Sequence, residues 1–376
     1  LLADALQILR RDAVLRRRWQ ERFVHVLVDE FQDVDASQVE LVGLLAEPER
    51  NLFVVGDDDQ TIYAWRLADV RRILEFPARY PDARRVILET NYRCPPGVVA
   101  AADRLIARNV ERVPKRLRAA PRPRAHEVPI RSWALRGPDG ADELAAALPA
   151  WAAEAGSLAV LSRTRAELGP VIVALLRRGI PHLTSVPAPL QSEAVTSLLS
   201  DLAAADPAAP PLPALLRARA VRGWRRADPA DRLGEDEHAA LDTLIGWAVG
   251  HASSDAFLAA SRAARARLQA LRRPEAPIHL ATVHGAKGRE WPMVVVLGMD
   301  ADRFPNRRAM VEALDPARAL EEERRLAYVA ITRCRRNLVL AFDPDRVSPF
   351  VAEMFGSVGR RRAAGYSPTS GATAVR

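Results

Sequence analysis

Apolar residues follow two rhythms along this chain. Val26, Leu27 and Val28 form a run with no polar alternation, and it leads straight into Asp29, Glu30, Gln32 and Asp33. Such a run predicts a strand covered on both faces, as in a parallel sheet under helices. The stretch LFVVGDDDQ (52–60) repeats the pattern: apolar strand, glycine turn, acids, glutamine. Further strands are predicted over VILET (86–90), SLAVLSRT (157–164), the start of 278–299, MVVVL within it, and Leu338–Ala341. The second rhythm is helical. Leu2, Leu6, Leu9 and Val14 place one amphipathic helix over 1–22, and further helices are predicted at Ser37–Leu45, up to about Ile106, at 168–182 and within 320–341. Strands and helices in alternation predict an α/β fold whose parallel strands carry their chemistry at the carboxyl ends.

The rhythm changes between residues 186 and 276. Proline clusters alternate with alanine- and arginine-rich helical segments and no strand pattern appears, which predicts a small helical insertion. Residues 107–128 are basic and proline-containing and read as a connection. The tail after about residue 355 is low in complexity and is expected to be disordered.

Composition adds little to fold and more to partners. With 376 residues, 49% apolar and 27% charged, the chain has the profile of a soluble globular protein of two or three domains. It holds neither a membrane-length apolar stretch nor a signal pattern, so a cytoplasmic location is expected. A net charge of +8 favours a polyanionic partner. Almost all the positive charge is arginine, the only lysines being Lys115 and Lys287. Cys94 and Cys334 have no metal-ligand spacing and read as reduced thiols.

The candidate chemistry sits where the strands end. Adjacent carboxylates at Asp29 and Glu30 suit a nucleotide-metal site, the first holding Mg²⁺ and the second orienting water. Tyr63, Trp65 and Arg66 follow the second acidic loop and suit stacking of single-stranded bases. Tyr92 and Arg93 precede a rigid Pro-Pro-Gly turn, placing a ring for a base and a guanidinium for a phosphate. His284, Lys287 and Glu290 share a glycine-punctuated loop.

In the order DEFQD, GDDDQTIYAWR, NYRC, TVHGAKGREW and RRLAYVAITR, these stretches resemble the superfamily 1 DNA helicases of the UvrD/Rep/PcrA type. The resemblance spans residues 1 to about 350. It implies P-loop NTPase architecture with RecA-like lobes: the carboxyl part of a first lobe over 1–86, a second lobe over 87–185 and 277–352, a reduced helical insertion domain over 186–276, and a tail over 353–376. It also implies roles. Asp29 would coordinate Mg²⁺, Glu30 would activate water, and Gln60 would sense the γ-phosphate, with Arg93 and Arg333 reaching that phosphate from the second lobe. Tyr92 would stack on adenine and Glu290 would hold the ribose. Tyr63, Trp65 and Arg66 would contact single-stranded DNA, with His284 and Lys287 linking it to the nucleotide. The implied activity is ATP-dependent 3′ to 5′ helicase or translocase action on single-stranded DNA and its junctions with duplex, in repair or recombination.

This sequence departs from the family pattern in several places. Leu67 stands where glycine usually follows Arg66, Arg289 where an apolar residue is usual, and Cys94 and Cys334 where serine and alanine are common. The insertion is short, and ARAVRGWRR (218–226) is its one candidate for touching duplex. No Gly-Lys pair occurs, so the phosphate-cradling G-x-x-x-x-G-K-[ST] loop is missing. With Leu1 in place of a starting methionine, the expectation is a fragment that turns over no ATP alone. The competing expectation is a catalytically inactive DNA-binding or regulatory protein.

Overall fold

The computed structural model describes residues 1–121, 130–137, 139–226 and 231–356, and the backbone of 373–375. The first apolar run becomes β1 (Val26–Val28) and the second β2 (Leu52–Val54), paired in parallel with Val26 opposite Leu52 and Val28 opposite Val54. Burial on both faces is not found. Leu27 is 72% and Phe53 60% exposed, because this ladder has only two strands and one face has no second layer. The strand expected over 86–90 does not form either. Val86, Ile87 and Leu88 are exposed, and only Thr90–Asn91 (β3) pairs, with Arg118–Ala119 (β4).

The single helix expected over 1–22 is two, Leu2–Arg11 and Ala13–Arg22. Asp12 breaks the run in an extended conformation and caps the second helix, its carboxylate accepting from Leu15 N–H at 2.8 Å. Leu6 and Leu9 are buried, whereas Val14, past the break, is exposed. The helix Ala36–Ala46 starts with a capping box between Asp35 and Gln38, the local reason it begins where it does.

The main sheet contains β5 (Ile130–Ala134), β6 (Leu158–Ser162), β7 (Leu183–Thr184), β8 (Ile278–Thr282), β9 (Trp291–Leu297), β10 (Cys334–Phe342) and β11 (Thr373–Val375). Their order is β11-β5-β10-β9-β6-β8-β7, parallel except for β11, which runs antiparallel on β5. Period-two alternation splits the core. Leu158, Val160, Val295 and Val339 face one layer, and Ala159, Leu161, Val294 and Leu340 face the other. The second layer includes Pro96–Ile106, Pro316–Ile331 and Pro349–Phe355, with the short helix Val283–Ala286.

The first layer holds Gly140–Ala155 and Arg165–Arg178, and the stretch 186–276 adds four more helices: Glu193–Ala203, Pro211–Val221, Glu235–Ala248 and Ser254–Leu271. Leu198, Leu215, Leu241, Leu244 and Phe257 belong to the same continuous core as the strands. The insertion therefore packs onto the sheet layer instead of standing off it. In the tail read as disordered, a helix runs to Phe355 and β11 occupies 373–375; residues 357–372 and 376 lie outside the described residues. Among the described residues, no helix is long and apolar enough to cross a membrane.

Candidate functional site

The loop after β1 puts Asp29 and Glu30 at the surface. Asp29 Oδ1 accepts from the Glu30 N–H at 2.8 Å, and Glu30 takes the left-handed φ of 52°, a conformation that costs a non-glycine residue of order 1 kcal/mol or more. The Gln32 side-chain amide donates to the Glu30 carboxylate, and its oxygen accepts from the Asp57 N–H at 3.0 Å. Gln32 is fully buried, so one amide ties the two acidic loops together. Gly56 allows this approach, since a Cβ there would lie 2.4 Å from Gln32 Oε1. An exposed aspartate beside a second carboxylate fits Mg²⁺, which takes one or two protein carboxylates and keeps several waters.

Gln60 and Arg333 meet across 273 positions of chain. Arg333 Nη2 donates to Gln60 Oε1 at 3.0 Å, and its Nε donates to the Val329 carbonyl at 3.1 Å. Arg333 is 2% exposed; burial, with the charge of Arg93 nearby, pulls it below the usual guanidinium range. The Lys287 side chain is 7% exposed. Its ammonium donates to Asp33 Oδ2 at 2.5 Å and to the Gln60 carbonyl at 2.8 Å, and lies 5.1 Å from the Tyr63 ring centroid. The structure thus places Lys287 between the first loops and the main sheet, in an ion pair with a half-buried acid. Burial raises Asp33 above the ordinary carboxylate range in spite of that partner.

Glu290 is shared by two arginines. Arg93 Nε donates to Oε2, and Arg335 Nε donates to Oε1 at 2.8 Å. Burial acts to raise Glu290, but Arg335 and Arg93 outweigh it and hold the carboxyl below its ordinary range. Arg335 was missed from sequence, although it lies two residues past Arg333 in a run of basic residues. Tyr92 is 78% exposed.

Trp65 is 65% exposed; its ring centroid lies 6.2 Å from that of Tyr63, with the Arg66 guanidinium 4.6 Å from the Trp65 centroid. Leu67 adopts the left-handed φ of 65° that a glycine would take freely, so the turn is kept and strained. Tyr63 joins this cluster to the main sheet, its hydroxyl donating to the His284 carbonyl at 3.3 Å. Within 218–226, Arg219, Arg222 and Arg226 pair with Asp242, Asp201 and Asp242 respectively. Cys94 and Cys334 are buried and not joined in a disulfide.

His284 is pushed down to about 4, first by burial and then by the charges of Arg163 and Lys287. The unfolded chain binds that proton from about pH 6.5 downward, so stability falls as pH drops through the window between about 6.5 and 4. His284→Gln is expected to remove about 1 kcal/mol of the stability loss between pH 7 and pH 5.5. Thermal melts of both proteins at the two pH values check this; parallel losses would show that the histidine is not the group that titrates.

Residues 1–81 match the UvrD/REP helicase N-terminal domain family, and residues 256–343 match the UvrD-like helicase C-terminal domain family. The chain is similar to the ATP-dependent DNA helicase PcrA of Leuconostoc citreum, with 48% identity over 100 residues, 27% of this chain and 13% of that protein. It is similar also to the PcrA helicases of Staphylococcus epidermidis and Staphylococcus aureus, each 42% identical over 117 residues, 31% of this chain and 16% of theirs. The matched stretches cover less than a fifth of these relatives.

Proposed function

We propose that this chain, which matches UvrD-type helicase domain families over 1–81 and 256–343, forms part of an ATP-dependent DNA motor that moves 3′ to 5′ on single-stranded DNA and opens duplex in repair or recombination. The observation that carries this reading is the contact of Gln60 with Arg333, reinforced by that of Lys287 with Asp33 and the Gln60 carbonyl. A γ-phosphate sensor on the first loops touches an arginine of the main sheet, so hydrolysis on one side is linked to movement of the other.

In this mechanism Asp29 would hold Mg²⁺, which would neutralise charge developing on the phosphates. Glu30, kept in place by Gln32, orients the attacking water and accepts its proton. Arg333 and Arg93 supply positive charge to the transferring phosphoryl group. Arg93 must leave Glu290 to do so, and the ribose hydroxyls take its place on that carboxylate. Tyr63, Trp65 and Arg66 hold bases, and Lys287 links that platform to the nucleotide side. The phosphate-cradling loop is proposed to lie outside residues 1–376, since no Gly-Lys pair occurs among them.

The test is ATP turnover by the protein containing this chain and such a loop, with and without single-stranded oligonucleotide, followed by strand displacement on duplexes tailed at either end. DNA-stimulated turnover and unwinding of the 3′-tailed duplex are expected. Binding of the oligonucleotide without ATP turnover would overturn the motor and leave a DNA-binding protein in its place.

A further inference from the structure

Lys115 lies in the connection after the helix Pro96–Ile106, yet its ammonium reaches the loop that follows β2. It stands 2.7 Å from Asp57 Oδ1, 2.5 Å from Asp58 Oδ1 and 3.1 Å from Asp59 Oδ2. One oxygen from each of these aspartates lies within 4.8 Å of the others, a spacing that suits a divalent cation. Arg112 takes Asp59 from the other side, with Nε 3.0 Å from Oδ1 and Nη2 2.8 Å from Oδ2, and the Val113 N–H donates to Asp58 Oδ2 at 2.8 Å. Asp58 and Asp59 are almost wholly buried, so three carboxylates this close would repel strongly without a cation among them.

The same cluster orients the nucleotide-sensing glutamine. The second oxygen of Asp57 accepts from Gln60 Nε2 at 2.8 Å, and Gln60 Oε1 accepts from Arg333. An unbroken line of contacts therefore runs from Lys115 through Asp57 and Gln60 to Arg333. We propose that Lys115 is a built-in cation, standing where a divalent ion could stand among Asp57, Asp58 and Asp59, and that it is the positioning residue that fixes the Gln60 amide against Arg333. Its consequence for hydrolysis rests on the function proposed above. Its place as the cation of the cluster does not.

The first experiment uses this chain without nucleotide and Mn²⁺ as the probe. Lys115→Met is expected to gain an Mn²⁺ site, visible by electron paramagnetic resonance, that the unsubstituted chain and Lys115→Arg lack and that a further Asp58→Asn removes. Mn²⁺ should also raise the melting temperature of Lys115→Met more than that of the unsubstituted chain. An Mn²⁺ count equal to that of the unsubstituted chain overturns the proposal. Should Lys115→Met fail to fold, Lys115→Gln, whose neutral amide can still donate to the three intact aspartates, is read the same way. The second experiment measures ATP turnover in the protein with a complete site. Lys115→Met should lower DNA-stimulated kcat about ten-fold or more with KM for ATP within about two-fold, and Lys115→Arg should restore most of it. A change in KM alone, or no change in kcat, overturns the positioning role. If the unsubstituted protein hydrolyses no ATP, the proposed function fails while the Mn²⁺ result still decides the cation.

Discussion

Arg333→Ala is expected to lower ATP turnover about 10³-fold or more, the scale on which an arginine aimed at a transferring phosphoryl group acts. The structure makes this side chain well suited to such a task. It is almost entirely buried, and its fork is held by the Val329 carbonyl and by Gln60. A preorganised cation that needs no rearrangement contributes most when water is excluded. Arg333→Lys keeps the charge but loses the planar fork, and so should recover only a small part. Single-turnover hydrolysis in the protein with a complete ATP site, together with oligonucleotide affinity, is the measurement. A loss of DNA affinity as large as the loss of hydrolysis would mean that the residue holds the halves together and has no chemical role.

Glu30→Gln should cost about 10² to 10⁴ in hydrolysis, as removal of a general base does, while ATP binding is unchanged. The amide is nearly isosteric and its oxygen can still accept from the Gln32 side chain, so the link between the acidic loops persists. Stability should therefore stay within about 0.5 kcal/mol of the unsubstituted protein, as for an exposed substitution. Burst and steady-state phosphate release, alongside a thermal melt, separate the two readings. A large fall in melting temperature would reassign Glu30 to holding the turn.

Much of the main sheet could be read from sequence because its strands are continuous apolar runs ending in polar residues. Leu158–Ser162 is such a run, Trp291–Leu297 is apolar throughout and closed by Gly298, and the helix Arg165–Arg178 announces its end with Gly179. Other elements escaped, a strand and a long helix among them. Ile130–Ala134 has polar and charged residues between its apolar ones, and Gly140–Ala155 is alanine-rich with Pro149 inside it, so neither shows a clear rhythm. The stretch 86–88 misled in the other direction, since apolar composition makes a strand only where a neighbour offers hydrogen bonds.

The site divides the same way. The structure brings Gln60 to Arg333, Lys287 to Asp33, and Tyr63 to His284, all far apart in sequence. The motifs themselves pointed to both members of the first and third links and to Lys287 of the second, but not to the contacts between them. The supporting groups Gln32, Arg335 and Lys115 were not assigned, because their meaning lies in partners up to 58 residues away along the chain.

The scarcity of lysine has a practical consequence for watching this molecule move. An endoproteinase that cuts only after lysine finds two sites in 376 residues, at Lys115 and Lys287, whose side chains are 9% and 7% exposed. Both are enclosed at junctions between the first loops and the rest of the chain. Under native conditions, with reclosing faster than cleavage, the cutting rate follows the population of the opened form. The order in which the fragments appear would then tell which junction parts first, with no label attached and no residue changed.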